Sequence, residues 1–200
     1  MKKKIIILGS TGSIGKNTLD ILKHKKNIEV ELLVAKNNHR LLASQAISFK
    51  SNYVYIENKK NLTKLKKLIK KRNIEIIEDF NDLSKKISKS DMMMSAISGL
   101  EGLRYNLTLI KKCKKILFAN KESIICGWNL ILKELKKNNT SFFPIDSEHF
   151  AIFELLKNKK LNKIKDITIT ASGGPFLNTS ISKMKNMNPK KALDHPKWKM

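Results

Sequence analysis

Cysteine, arginine and long apolar runs are nearly missing from this 200-residue chain, and each shortage removes a class of protein. The two cysteines, Cys113 and Cys126, make no disulfide framework. They form no CxxC pair and their spacing suits no zinc site, so they are expected as reduced thiols in a cytoplasmic protein. No apolar run approaches the roughly 18 residues of a membrane span, so no membrane partner is expected. The apolar stretch after Lys2-Lys3-Lys4 is too short for a secretory signal and runs straight into a glycine turn, so it reads as a first strand. Carboxylates are also scarce: 17 Asp and Glu stand against 41 Lys and Arg, a net charge of +24. Only three of the basic residues are arginine, Arg40, Arg72 and Arg104. A nucleic-acid binder draws on Arg, whose rigid fork reads base edges and phosphates. Lysine here is spread along helical stretches such as Lys64-Leu65-Lys66-Lys67-Leu68-Ile69-Lys70-Lys71. It is read as solvated helix faces and not as a nucleic-acid surface, with a field that still attracts anionic ligands.

What is present suits a globular α/β protein. Hydrophobic residues make up 41% and charged residues 29%, ordinary usage for a folded domain. The length allows one full domain and part of another. Short β-rich runs at Lys4–Leu8, Ile28–Ala35, Tyr53–Glu57, Ile74–Glu78, Asp91–Ile97, Lys115–Ala119 and Ser141–Ile145 alternate with amphipathic stretches. Helices are predicted over Ile14–Lys25, Arg40–Lys50, Leu62–Arg72, Leu103–Cys113, Glu122–Lys137 and Glu148–Lys157, with Asn38 and Asn61 as N-caps. Repeated β-α-β order implies a doubly wound parallel sheet with right-handed crossovers. Composition shifts after about residue 158. An eighth strand is predicted over Lys163–Ala171, followed by the turn Ser172-Gly173-Gly174-Pro175, with too little chain after it to build a second core. The expected division is a dinucleotide-binding domain over 1–150 and an incomplete α+β domain over 151–200.

Gly9-Ser10-Thr11-Gly12-Ser13-Ile14-Gly15 joins the first strand to the first helix. Glycines there permit a tight turn, and free amides at the helix N-terminus face an anion, as a dinucleotide pyrophosphate requires. The second strand ends in Lys36-Asn37-Asn38-His39-Arg40, with no carboxylate to accept from a ribose 2′-hydroxyl. Positive charge there favours the 2′-phosphate of NADP(H). At the end of the last strand, Asp146-Ser147-Glu148-His149 places two hard carboxylates two residues apart, which suits Mg²⁺ or Mn²⁺. The same residues also read as a helix cap, with Ser147 as the N-cap and His149 as a packing residue. Asn120, Lys121 and Glu122 lie at a neighbouring strand end.

Five motifs together, Gly9–Gly15, Ala119–Ser123, Pro144–Phe153, Ser172–Phe176 and His195–Met200, resemble the 1-deoxy-D-xylulose 5-phosphate reductoisomerase family in order and spacing, over the whole chain. The resemblance implies a Rossmann-like NADPH domain. It implies NADPH- and metal-dependent isomerisation and reduction of 1-deoxy-D-xylulose 5-phosphate to 2-C-methyl-D-erythritol 4-phosphate. Thr11, Gly12, Ser13, Ile14, Asn120 and Glu122 match cofactor positions, and Lys36, Asn37 and Asn38 stand where the family usually has Gly-Lys-Asn. Lys121, Ser147, Ser172 and His195 match substrate positions, and Asp146 and Glu148 match ligands of Mg²⁺, Mn²⁺ or Co²⁺. Lys121, Asp146, Glu148 and His195 are the expected catalytic set. A third metal-ligating Glu and a helical domain follow in the family beyond the point this chain reaches, so the chain is expected to bind NADPH without turnover, and to dimerise at full length. A basic nucleic-acid-binding chain and an NADP-dependent dehydrogenase of another pathway are the competing readings. The Asp146–Glu148 pair argues against the second, since simple hydride transfer needs no metal.

Overall fold

The computed structural model describes residues 2–160, 163–170 and 173–195. Its elements run β1 (Lys3–Leu8), α1 (Ser13–Leu22), β2 (Ile28–Ala35), α2 (His39–Phe49), β3 (Tyr53–Ile56), α3 (Leu62–Ile69), β4 (Glu75–Ile77), α4 (Leu83–Lys86), β5 (Ser90–Ser95), α5 (Glu101–Leu109), β6 (Cys113–Phe118), α6 (Lys121–Asn138), β7 (Ser141–Pro144) and α7 (Ser147–Leu156). The seven strands form one parallel sheet in the order β4-β3-β2-β1-β5-β6-β7. The order reverses at β1, whose neighbours are β2 and β5. Ligand crevices of open α/β sheets lie at such a point, outside the C-terminal strand ends.

Strand alternation divides the core into two layers. Ile6 and Leu8 join Leu32, Val34, Tyr105, Phe118 and Ile131 on one face. Ile5 and Ile7 join Leu33, Val54, Leu42, Leu65 and Leu19 on the other. A sheet covered on both faces explains the nearly continuous apolar reading of β1. The β1–β2 register slips between Ile5, opposite Val30, and Ile6, opposite Leu32, so Glu31 is the bulged residue. The bulge re-phases β2, and Leu32 and Val34 then share a face with Ile6.

Several element ends differ from expectation. The predicted helix over Leu103–Cys113 is α5 followed by a 3₁₀ turn at Ile110–Lys112, and Cys113 already belongs to β6. Asn38 caps α2 by accepting from the Leu41 amide, as predicted. Asn61 stands at the N-cap of α3 without capping it, because its side chain donates to the Asn37 carbonyl at 2.9 Å. Helix α6 bends at Gly127, where a Cβ would collide with the Leu103 side chain of α5. A side chain at 127 would therefore need Leu103 to take another rotamer.

The chain divides into compact units at Met1–Glu154 and Leu155–Met200. The second unit contains a 3₁₀ turn at Gly174–Phe176, α8 (Ile181–Met184) and α9 (Pro189–Leu193). The strand expected over Lys163–Ala171 is not there: residues 164–170 carry no regular structure, and Ala171 lies outside the described residues. The alternation is real, but Ile167 and Ile169 stay exposed at 56% and 62%. A strand persists only with a ladder partner, and no neighbouring strand supplies one among the described residues.

Candidate active site

The turn after β1 is built for close backbone approach. Gly9 has φ +80°, and a Cβ there would come within 2.6 Å of the Ala96 carbonyl oxygen. A Cβ on Gly15 would run into the Gly9 carbonyl. These two glycines lock the turn against β5 and against itself. Gly12 differs: its backbone is extended (φ −77°, ψ 174°), and the one atom near a Cβ is Gly9 O at 3.3 Å. It caps α1 with no side-chain hydrogen bond, leaving the first-turn amides of Ser13, Ile14 and Gly15 for an anion.

Thr11 and Gly12 form one end of a cleft of about 250 Å³ that continues past Ala35 and Lys36 to Ser98, Glu101 and Tyr105. It occupies the switch point between the ends of β2 and β5. Lys36 reaches across it, with Nζ 2.8 Å from both carboxylate oxygens of Glu101. That hydrogen bond and the charge of Glu101 raise the Lys36 pKa. Beside it, Arg104 pairs with Glu57 at 2.7 Å. Asn37 accepts from Asn58 at 2.9 Å, so the loop after β2 is held from below. Glu57 and Glu101 were missed in the sequence. Glu101 follows a strand end on the same sheet edge, which is the signal that would have found it.

Asn120 is 3% exposed and fully occupied within the protein. Its Oδ1 accepts from the Ser123 amide, and its Nδ2 donates to the carbonyls of Ile97 and Gly99. It therefore caps α6 and fixes the loop that forms one cleft wall. Glu122 is exposed in the first turn of α6.

Lys121, Asp146, Ser147 and Glu148 meet at the ends of β6 and β7. The Lys121 ammonium lies 2.8 Å from Glu148 and 3.7 Å from Asp146. Asp146, not Ser147, caps α7: its Oδ1 accepts from the His149 amide at 3.0 Å and meets His149 Nδ1 at 2.7 Å. Burial opposes ionisation of Asp146, but the His149 contacts and the Lys121 charge outweigh it and lower its pKa. The Lys121 hydrogen bond lowers that of Glu148. Both are thus ionised oxygen donors, the chemistry a hard divalent cation takes. They fit such an ion as a pair; among the described residues no cluster of three potential ligands forms. His195 belongs to the second unit, where its amide bonds the Leu193 carbonyl at 3.0 Å. Ser172 and residues 196–200 lie outside the described residues.

A parallel sheet with a glycine-turn crevice at its switch point defines a dinucleotide-binding α/β domain. Residues 5–127 match the family model of 1-deoxy-D-xylulose 5-phosphate reductoisomerase, and 142–200 match the model of its C-terminal domain. The chain belongs to the 1-deoxy-D-xylulose 5-phosphate reductoisomerase family. It is 47% identical over 202 residues to the reductoisomerase of Pelagibacter ubique, covering 99% of this chain and 52% of that protein. To the Wolbachia pipientis enzyme from Culex pipiens it is 41% identical, covering 99% and 51%. The Zymomonas mobilis reductoisomerase in complex with NADPH superposes with a TM-score of 0.87 at 32% identity, over 96% of this chain and 51% of that one. A reductoisomerase in complex with NADPH, fosmidomycin and magnesium gives 0.81 at 30% identity, over 99% and 52%. The chain spans about half the length of the curated relatives it matches.

Proposed function

We propose that this chain binds NADPH over the glycine turn and supplies part of the metal and substrate site for conversion of 1-deoxy-D-xylulose 5-phosphate to 2-C-methyl-D-erythritol 4-phosphate. The observation that carries the reading is the turn itself. Two glycines are obligatory for its shape, and the third, Gly12, lines a cleft at a helix N-terminus that carries no side-chain cap. Thr11, Gly12, Ser13 and Ile14 would hold the pyrophosphate. Lys36 would face the ribose end, with Asn37 and Asn38 shaping its loop. Asn120 would act by fixing the 97–99 wall, and Glu122 would contact the cofactor by family position. When bound, NADPH supplies the hydride, and a divalent cation fixes and polarises substrate oxygens. Asp146 and Glu148 would hold that cation, and Lys121 would turn from them to an anionic substrate oxygen. Ser147, Ser172 and His195 complete the substrate set by family position. Among the described residues no helix is long and apolar enough to cross a membrane. The free thiols Cys113 and Cys126 suit the cytoplasm, and a homodimer at full length is the expected assembly.

The test is an NADPH fluorescence titration of the 200-residue chain against Gly12→Val. The extended backbone of Gly12 takes a side chain once the Gly9 carbonyl, 3.3 Å from its Cβ, yields by a few tenths of an ångström, and the branched side chain then enters the cleft. NADPH affinity should fall at least about tenfold, or about 1.4 kcal/mol, while a cooperative thermal melt shows that the fold persists. Equal affinity in parent and variant would make the turn purely structural.

A further inference from the structure

Glu101 stands in the dinucleotide cleft as the partner of the cation expected to read the cofactor. Lys36 leaves the end of β2, and Glu101 opens α5, which follows β5. These strands flank β1 on opposite sides, so the pair crosses the mouth of the crevice above the glycine turn. The ribose of a bound dinucleotide lies at the end of the second strand of such a sheet. A carboxylate on that strand would accept from a 2′-hydroxyl. Here the carboxylate comes from the opposite wall, and a lysine already neutralises it.

Both side chains are more than half exposed, at 57% and 53%. Exposed ion pairs are weak, about 0–1 kcal/mol, so this one opens at little cost. A 2′-phosphate carries up to two charges against one on a carboxylate, and it competes well for the ammonium. A 2′-hydroxyl does not compete. Glu57, the other carboxylate lining the cleft, has its own partner in Arg104 at 2.7 Å and is not freed by this exchange.

Resting on the NADPH reading above, we propose that Glu101 is a cofactor-specificity residue: it holds Lys36 across the cleft, and the 2′-phosphate of NADPH binds by displacing its carboxylate from that lysine. Glu101 thereby opposes NADPH selectively. It occupies the lysine that the 2′-phosphate must take, an effect that NADH, which lacks that phosphate, is spared.

The test measures NADPH and NADH binding by calorimetry to the parent chain, Glu101→Gln, Lys36→Met and the double variant. Glu78→Gln, which breaks the remote pair with Lys66 at 2.6 Å, serves as the control for lost surface charge. Glu101→Gln should tighten NADPH by about fivefold and move NADH by less than about twofold. In the Lys36→Met background the same change should tighten NADPH by less than about twofold, since the lysine to be released is gone. Glu78→Gln should leave both cofactors unchanged. If Glu101→Gln shifts NADPH and NADH by the same factor, weakens NADPH, or acts equally without Lys36, the proposal is overturned. A parent chain that binds neither dinucleotide would overturn the NADPH reading itself, and that result is read before any variant.

Discussion

Glu31 is 1% exposed, on a central strand of a lysine-rich protein, and it is still ionised. The bulge that leaves it out of the β1–β2 ladder brings its carboxylate to Lys4 at 2.9 Å, Asn52 at 2.8 Å and the Ser88 amide and hydroxyl at 2.8 and 2.7 Å. Burial pushes its pKa up, but the bonds from Ser88, Asn52 and Lys4 outweigh burial and hold it below the usual glutamate range. The folded value lies below the unfolded one, so this contribution is complete above about pH 4.3 and is lost as pH falls through the folded value. Glu31→Gln should cost about 1–3 kcal/mol at pH 7, because it strands buried donors and Lys4. It should also flatten the acid side of the stability curve. Urea midpoints between pH 7 and pH 3 check both; a variant with the parent's acid slope would remove Glu31 as the cause. Nothing in the sequence pointed to this residue, because its partners lie 27, 21 and 57 positions away. The glycines were legible, since a turn's demand for missing side chains is local. Their division of labour was not: a Cβ on Gly15 would lie 2.2 Å from the Gly9 carbonyl oxygen and one on Gly12 3.3 Å, a difference set by the packing of the turn on itself.

Helix α3 shows what a lysine-rich stretch does once folded. Leu65 and Ile69 are buried, while Lys64, Lys66, Lys67 and Lys70 face solvent, so the solvated-face reading holds here. The lysines are still not equivalent. Lys66 pairs with Glu78 at 2.6 Å, but among the described residues no carboxylate pairs with Lys70. Lys70→Glu should change stability by no more than about 0.5 kcal/mol. Lys66→Glu should cost up to about 1 kcal/mol more, since it trades an exposed pair for a like-charge contact. Chemical denaturation at low and high salt separates them, because salt should shrink the Lys66 effect and leave Lys70 alone. Equal, salt-independent effects would show the pair to be energetically silent. At this scale the strands and main helices were readable from apolar runs and 3.6-residue spacing. The short α4 was not, because four residues carry no period. The expected strand at Lys163–Ala171 failed for a different reason: alternation states which face would be buried, not whether a partner exists. The candidate site followed the same logic. Lys121, Asp146 and Glu148 were visible because strand ends of a parallel sheet converge on one edge. The Lys36–Glu101 pair was invisible because it joins residues 65 apart across that edge.

Net charge acts on the molecule as a whole, and +24 draws every anion. What separates a binding site from a field is how affinity responds to salt and to competitors. A surface that neutralises 6–10 DNA phosphates loses about 10³–10⁵ in affinity between 50 and 200 mM salt. On the proposed reading a dinucleotide in the cleft would meet few cations, Lys36 among them, and would gain the rest of its binding from amides and packing around the glycine turn. Its salt response should be much shallower, less than about tenfold over the same range. NADPH binding should therefore stay saturable near 0.15 M salt with duplex DNA present, at roughly 10 μM DNA against a nonspecific dissociation constant of about 10⁻⁴–10⁻⁶ M. Fluorescence of bound NADPH during a DNA titration reads this directly. Displacement of NADPH by DNA at that salt, with matching steep slopes for both ligands, would mean that the basic surface and not the cleft holds the nucleotide. Retention of NADPH with a shallow slope would leave the lysines as solvating charge, and the fold's switch point as the origin of recognition.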